Sequence, residues 1–271
     1  MRILVTGATG LVGERLTPRL VAAGMECHAL VRQGGKVPSG VVAAEGDLFD
    51  PASLAKAVDG MEAIVHLAAV FRTQDVDLIW KSNLEGTQNL IAAAQAHADT
   101  ARFILASTSN VYDRQGARPA REGDAVQPEQ AYPASKVAAE EALRRSGLNW
   151  SITRFPFVYG DADGHLEMLP RHVEAFGFHP AHRMSTIHHR DIATAMEMAL
   201  AGAFDGRIVN IADDAPLSIY ELVGLAGGTM KPSAEPTQDP WFLHVDTSLA
   251  RSLGFKPKIQ TVYQAAREAR L

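Results

Sequence analysis

Tyr132 and Lys136 stand four residues apart in Tyr132-Pro133-Ala134-Ser135-Lys136. On a helix this spacing puts a phenol and an amine on one face. A phenol with an ordinary pKa near about 10 exchanges protons poorly at neutral pH, and a neighbouring ammonium stabilises its phenolate. The pair can then pass a proton to or from a carbonyl or hydroxyl while a cofactor moves a hydride. Upstream, Ser107-Thr108-Ser109 follows an apolar run. The Thr108 hydroxyl could hold the substrate oxygen as its charge changes, with Ser107 and Ser109 competing for that role.

A second constellation lies near the amino terminus, in Thr6-Gly7-Ala8-Thr9-Gly10-Leu11-Val12-Gly13. It separates a strand pattern, Ile3–Val5, from a helical one, Leu11–Ala23. Glycines in such a turn serve a tight bend, close backbone approach to a pyrophosphate, and close packing of helix on strand. The helix start offers N–H groups and a positive dipole end to the phosphates. Gly7, Thr9, Gly10, Leu11 and Val12 are therefore expected to hold a dinucleotide. The acid that NAD sites carry at the end of the second strand is replaced by Arg32, about 19 residues past Gly13. Its guanidinium, with Lys36 nearby, suits a 2′-phosphate, so NADP is expected in preference to NAD. Asp47 and Leu48 are expected at the adenine, and the small residues of Leu67-Ala68-Ala69 would let the cofactor lie against the sheet edge.

The elements that must position these groups alternate in type. Strand patterns at Ile3–Val5, Glu26–Val31, Val41–Ala44, Ala63–Leu67, Arg102–Ala106 and Trp150–Phe155 are mostly separated by helical patterns. The helical runs are Leu11–Ala23, Pro51–Val58, Asp77–His97 and Pro133–Ser146. This predicts an α/β protein, a doubly wound parallel-sheet Rossmann fold with both faces covered. Beyond it come a loop-rich stretch to about Thr186, a helix Asp191–Leu200 and a strand Arg207–Ile211. A capping box, Ser218 with Glu221, then opens a helix Ile219–Leu225, and a last helix lies near Val262–Arg270. Residues 1–160 and 186–212 are assigned to the dinucleotide-binding domain, and residues 161–185 and 213–271 to a small C-terminal substrate lobe.

Across 271 residues, 46% are apolar and 21% charged, and the net charge is −5. That balance suits a globular protein and disfavours a nucleic-acid or anionic-membrane binder. Cys27 is the only cysteine, which excludes an intrachain disulfide and a cysteine zinc cluster. With an opening apolar run too short for a signal peptide and no membrane-length stretch, a cytoplasmic location is expected. His165, His172, His179, His182, His188 and His189 cluster without a helical H-E-x-x-H pattern, so no metal is expected. Some of them would line the substrate pocket or lie at the surface. Arg154, Tyr159 and Arg183 join Ser109 as candidate substrate contacts. Trp80 reads as a core or interface residue.

Taken with His66-Leu67-Ala68-Ala69, Asn83-Leu84-Glu85-Gly86-Thr87, Arg154-Phe155-Pro156 and His188-His189-Arg190-Asp191, these motifs resemble the extended short-chain dehydrogenase/reductase family. The resemblance spans most of the chain. It implies that Thr108, Tyr132 and Lys136 are catalytic, that Asn83 supports the active-site helix, that Asn83, Tyr132 and Lys136 also belong to the cofactor site, and that Phe155 and Pro156 lie near the nicotinamide. It also implies a homodimer built on the two long helices. Family dehydratases carry an Asp-Glu pair after the threonine, whereas this chain carries Ser109-Asn110. Only about 30 residues separate Gly160 from Asp191, little for a nucleotide-diphosphate pocket. The expected activity is thus an NAD(P)-dependent reductase or dehydrogenase of a small carbonyl or hydroxyl compound, a sugar among the candidates. The alternatives are a nucleotide-sugar 4-epimerase that retains NAD and a dinucleotide sensor without catalysis.

Overall fold

A computed structural model describes residues 1–113 and 115–271, with Glu174 described by its backbone alone. The chain begins β1 (Arg2–Thr6), α1 (Gly13–Ala22), β2 (Glu26–Val31), β3 (Val42–Glu45), α2 (Pro51–Val58) and β4 (Ala63–His66). There follow α3 (Val76–Trp80), a π-helical turn at Lys81–Glu85, α4 (Gly86–His97), β5 (Arg102–Thr108), α5 (Ala131–Arg144) and β6 (Asn149–Phe155). The remainder runs β7 (Phe157–Tyr159), α6 (Leu169–Phe176), β8 (Arg183–Met184), β9 (Thr186–His188), α7 (His189–Leu200), β10 (Arg207–Asn210), β11 (Leu217–Ser218), α8 (Ile219–Leu225), α9 (Ser248–Ser252) and α10 (Val262–Arg267).

Seven parallel strands form one sheet in the order β10-β6-β5-β4-β1-β2-β3. The chain order reverses between β1 and β4, which opens a crevice at the carboxyl ends of those strands. Ile3, Val5, Val65 and Ile104 point to one face, against Leu16 and Leu20 of α1 and Met196 of α7. Leu4, Ile64, Phe103 and Leu105 point to the other, against Leu54 of α2, Leu90 of α4 and Leu143 of α5. Both faces are therefore dry, as the unbroken apolar strand runs require. A separate cluster of Tyr159, Leu169, Met184, Leu222 and Val262 forms the core of the smaller lobe, covered by α6, α8 and α10. Two short ribbons, β7 with β9 and β8 with β11, join it to the sheet.

The expected helix at 77–97 is one continuous helical segment, interrupted by the π turn. The widened turn carries Asn83, which is fully buried. π turns of this kind recur at functional sites because they redirect a side chain without ending the helix. The helix expected from Leu11 begins instead at Gly13, because residues 7–12 are spent on the turn. Helix α6 falls inside the stretch read as loop-rich. Among the described residues, no helix is long and apolar enough to cross a membrane.

Candidate active site

The three glycines of the first turn divide the work. Gly7 has φ +69°, and a Cβ there would lie 2.7 Å from the Ala68 nitrogen, so β4's end packs against bare backbone. At Gly13 a Cβ would come within 2.2 Å of the Gly7 oxygen, which is what allows α1 to sit close on the turn. At Gly10 an added Cβ would meet only the Gly7 oxygen, at 3.3 Å, and the remaining side is open to the crevice. No side chain caps the start of α1. These are the features a pyrophosphate needs.

A cavity of about 1070 Å³ runs from this turn along the carboxyl ends of the strands. Gly7, Thr9, Gly10, Leu11, Val12, Arg32, Asp47, Leu48, Leu67, Ala68 and Ala69 line one end, and Thr108, Ser109, Tyr132, Lys136, Phe155 and Pro156 the middle. The volume lies at the upper end of small-molecule sites, about 300–1,000 Å³, as a dinucleotide with a substrate beside it would require. Arg32 is mostly exposed and sits 3.3 Å from the Asp47 carboxylate. Asp47 also accepts a hydrogen bond from the Phe49 N–H.

At the centre, helix α5 carries Tyr132 and Lys136 to the end of β5. The Thr108 hydroxyl bonds the Tyr132 phenol and accepts from the Asn110 N–H at 3.2 Å. The Phe71 ring packs 5.5 Å from the Tyr132 ring. Burial pushes the phenol up to about 12, with the Thr108 bond pulling the other way. The Lys136 amine is drawn down to about 8 by burial, opposed by the Glu140 carboxylate one turn along the helix. Desolvation outweighs the Thr108 bond, so the phenol keeps its proton at neutral pH.

A chain of hydrogen bonds supports this arrangement from below. Asn83 accepts from the Val70 N–H, and its amide donates to the Val70 carbonyl and to the Ser135 hydroxyl. Ser135 in turn donates to the Tyr132 carbonyl at 2.7 Å. Thr87 donates to the Asn83 carbonyl, so it must accept from His66 Nε2, which leaves Nδ1 to accept from Thr6. The fully buried His66 is therefore neutral, its pKa drawn down to about 3 by burial and by the nearby Lys136 charge.

An unfolded chain binds the His66 proton below about 6.5 while the native chain does not until about 3, so stability must fall with acid across that window. Denaturation at pH 7 and pH 5 is expected to show a loss of about 2 kcal/mol from His66, at roughly 1.4 kcal/mol per unit. The slope should be smaller in His66→Gln. Equal slopes in the two proteins would rule out the neutral imidazole.

The sequence profile of the NAD dependent epimerase/dehydratase family matches residues 3–212. The chain belongs to that family. Its similar relatives include a dTDP-glucose 4,6-dehydratase of Streptomyces griseus, 28% identical over 95% of this chain and 89% of the relative. Another is the 4-hydroxy-2-methyl-3-oxo-4-farnesyl-3,4-dihydroquinoline-1-oxide ketoreductase of Stigmatella aurantiaca, 28% identical over 93% of this chain and 82% of the relative. Among solved structures, a short-chain dehydrogenase/reductase superfamily protein of Agrobacterium tumefaciens with bound NAD superposes with a TM-score of 0.80. It is 25% identical, with 99% of this chain and 96% of that one covered. The chain is thus an enzyme of the extended short-chain dehydrogenase/reductase type, with the family's Rossmann sheet.

Four residues expected from the sequence to touch cofactor or substrate in this epimerase/dehydratase-family enzyme are placed elsewhere. Asn83 is a buried brace rather than part of the cavity wall. Arg154 is buried in a bidentate pair with Glu140, at 3.0 and 2.6 Å, and donates to the Tyr112 hydroxyl at 2.9 Å. Ser107 donates to the same carboxylate at 2.5 Å. A guanidinium in a fully covered strand has to be paired inside the protein, and that removes it from the substrate. Tyr159 is wholly buried, edge-on to His188 at 5.2 Å, because β7 turns it into the lobe's core. Arg183 is exposed on β8 outside the cavity.

Other wall residues were not singled out: Val70, Phe71, Arg72, Phe157, Phe178, Met184 and Leu243. They come from loops and strands of two or three residues, where no periodicity marks a face. Of the clustered histidines, His165 and His172 reach the cavity. His188 caps α7 and contacts the Arg270 carbonyl, and His189 pairs with Asp163 at 2.7 Å. Among the described residues, no three His, Cys, Asp or Glu side chains are grouped to hold a metal.

Proposed function

We propose that the chain is an NAD(P)-dependent oxidoreductase that interconverts a carbonyl and a hydroxyl on a small substrate. The observation that carries this reading is the convergence of Thr108, Tyr132 and Lys136 on the same cavity as the glycine turn. A nicotinamide dinucleotide bound along that turn would supply the hydride in reduction and accept it in oxidation. Thr108 and Tyr132 hold the substrate oxygen between two hydroxyls, which polarises the carbonyl. As the carbon gains hydride, the oxygen takes the phenol's proton and an alcohol results. An alkoxide is a far stronger base than a phenolate, so a phenol near about 12 still gives up its proton. Lys136 stabilises the phenolate left behind until solvent returns a proton. Ser109 and Asn110 stand at the wall where family dehydratases carry an acid pair, so water elimination lacks its acid and base.

The exposed Arg32 guanidinium favours NADP, since a 2′-phosphate would meet it at the end of β2. Arg32→Glu is expected to weaken NADP binding by roughly 10- to 100-fold, the worth of one charge-assisted hydrogen bond, and to spare NAD. Thermal shift with each coenzyme measures it; a greater shift with NAD in the unaltered protein would overturn the preference. The reading as a whole is tested by following nicotinamide absorbance with a panel of ketones and alcohols. Net coenzyme turnover supports it, whereas interconversion of a sugar without net absorbance change would replace it with epimerisation. A cytoplasmic homodimer paired through α4 and α5 fits this proposal.

A further inference from the structure

Beyond Tyr132 the cavity changes character. Phe157, Leu169, Phe178, Met184 and Leu243 wall its far end. Of the charged side chains lining the cavity among the described residues, Arg32 and Asp47 pair with each other at the opposite end, and Lys136 sits beside the reacting centre. Arg72 is the remaining one, and its guanidinium lies over the Phe71 ring at 4.9 Å. His165 and His172 add no positive charge at neutral pH, because burial holds both imidazoles below their ordinary range. The His165 ring stacks on Phe157 at 4.3 Å and donates from Nδ1 to the Val158 carbonyl at 2.8 Å. A nucleoside diphosphate brings two or more negative charges and needs several donors to replace its water. Besides Arg72 the wall offers only uncharged donors such as Gln74, Asn110, Gln130 and Ser185, so most of that charge would go uncompensated.

Leu243 points to the same conclusion independently. It holds φ +70°, a left-handed conformation that costs a bulky side chain free energy. Hydrogen bonds on every side impose it. The Ser185 N–H donates to the Leu243 carbonyl at 2.9 Å, and the Val245 N–H to the Ser185 hydroxyl at 3.1 Å. The Ala120 N–H donates to the His244 carbonyl and the Asp246 N–H to the Ala120 carbonyl. The result is an isobutyl group fixed in the partition between the main cavity and a second one of about 350 Å³. Strain kept in a wall residue marks a position whose side chain is used.

We propose that the far end of the cavity takes a ketone or secondary alcohol with an apolar aryl or alkyl body, not a nucleotide sugar, and that Leu243 is the specificity-determining wall against that body. This deepens the oxidoreductase reading and rests on it. The test uses prodan, a naphthyl ketone whose emission moves to the blue in apolar surroundings, added with oxidised coenzyme so that no hydride is available. Binding with a blue shift, undisturbed by excess UDP-glucose, is expected. Leu243→Gly relieves the backbone while giving up packing on the lobe's core, so the melting temperature should stay close to that of the unaltered protein. The variant should weaken prodan binding about tenfold, the worth of burying part of a leucine side chain. Leu243→Asn, which tolerates the same φ and keeps side-chain bulk, should weaken it too.

Displacement of prodan by UDP-glucose, absence of prodan binding, or unchanged affinity in both variants overturns the proposal. Prodan bound as expected, yet never reduced when NADH or NADPH replaces the oxidised form, leaves the cavity assignment standing and removes the oxidoreductase reading instead.

Discussion

Tyr132→Phe is expected to lower kcat by roughly 10²- to 10⁴-fold, the range for loss of a positioned general acid. The ring keeps its packing against Phe71, and Thr108 keeps the Asn110 N–H, so stability should change by no more than about 1 kcal/mol. Coenzyme affinity should be unaltered, because the glycine turn and the end of β4 do not depend on the phenol oxygen. Single-turnover reduction with pre-bound coenzyme measures the loss directly; a variant that still transfers hydride at the original rate would exclude the phenol as proton donor. The same assay should show kcat/KM falling as pH rises through about 8, where the buried Lys136 amine loses its charge and with it the stabilisation of the phenolate.

Arg154→Leu should cost about 3–5 kcal/mol of stability, because it strands the Glu140 carboxylate in a site closed to water. In a chain of this size that corresponds to a fall in melting temperature of roughly 10 °C. Pairing it with Glu140→Met should recover much of the loss, since the expense lies in an unpaired charge rather than in missing attraction. Were Arg154 a substrate contact, the single variant would raise KM at an unchanged melting temperature. The pair sits one helical turn from Lys136 and also holds Ser107 and Tyr112. It therefore keeps helix α5 seated on β5 and β6.

What could be read before folding was what is encoded locally. The glycine turn declares itself because Gly7, Gly10 and Gly13 meet their constraints within seven residues of one another. Sheet strands declare themselves because both faces are apolar, and the four-residue step from Tyr132 to Lys136 is already a helix face. The position of Arg154 could not be read this way. Its partner lies on another element, and a strand arginine looks the same whether it meets a ligand or a buried acid. Leucine has no preference for a positive φ, so Leu243 is placed by hydrogen bonds from Ser185 and Ala120 on distant stretches of chain. Strands β7, β8, β9 and β11 have two or three residues each, below the length at which alternation can be counted. The proton balance at the phenol is hidden for a related reason: spacing shows that an ammonium is near, but only packing shows how much water has been removed.

The bonds running from Ala68 through Thr6, His66 and Thr87 to Asn83 admit a single ordering of their hydrogens, since a peptide N–H pins one end and a peptide oxygen the other. A second hydrogen on the imidazole would point at a hydroxyl whose lone pair already serves Ala68, and that hydroxyl's own hydrogen would be left facing nothing. The conflict would arise at Thr6, which precedes Gly7 and accepts from the Ala68 N–H against which Gly7 is pressed. In acid, the glycine turn proposed to hold the coenzyme's pyrophosphate should therefore loosen before the sheet itself gives way.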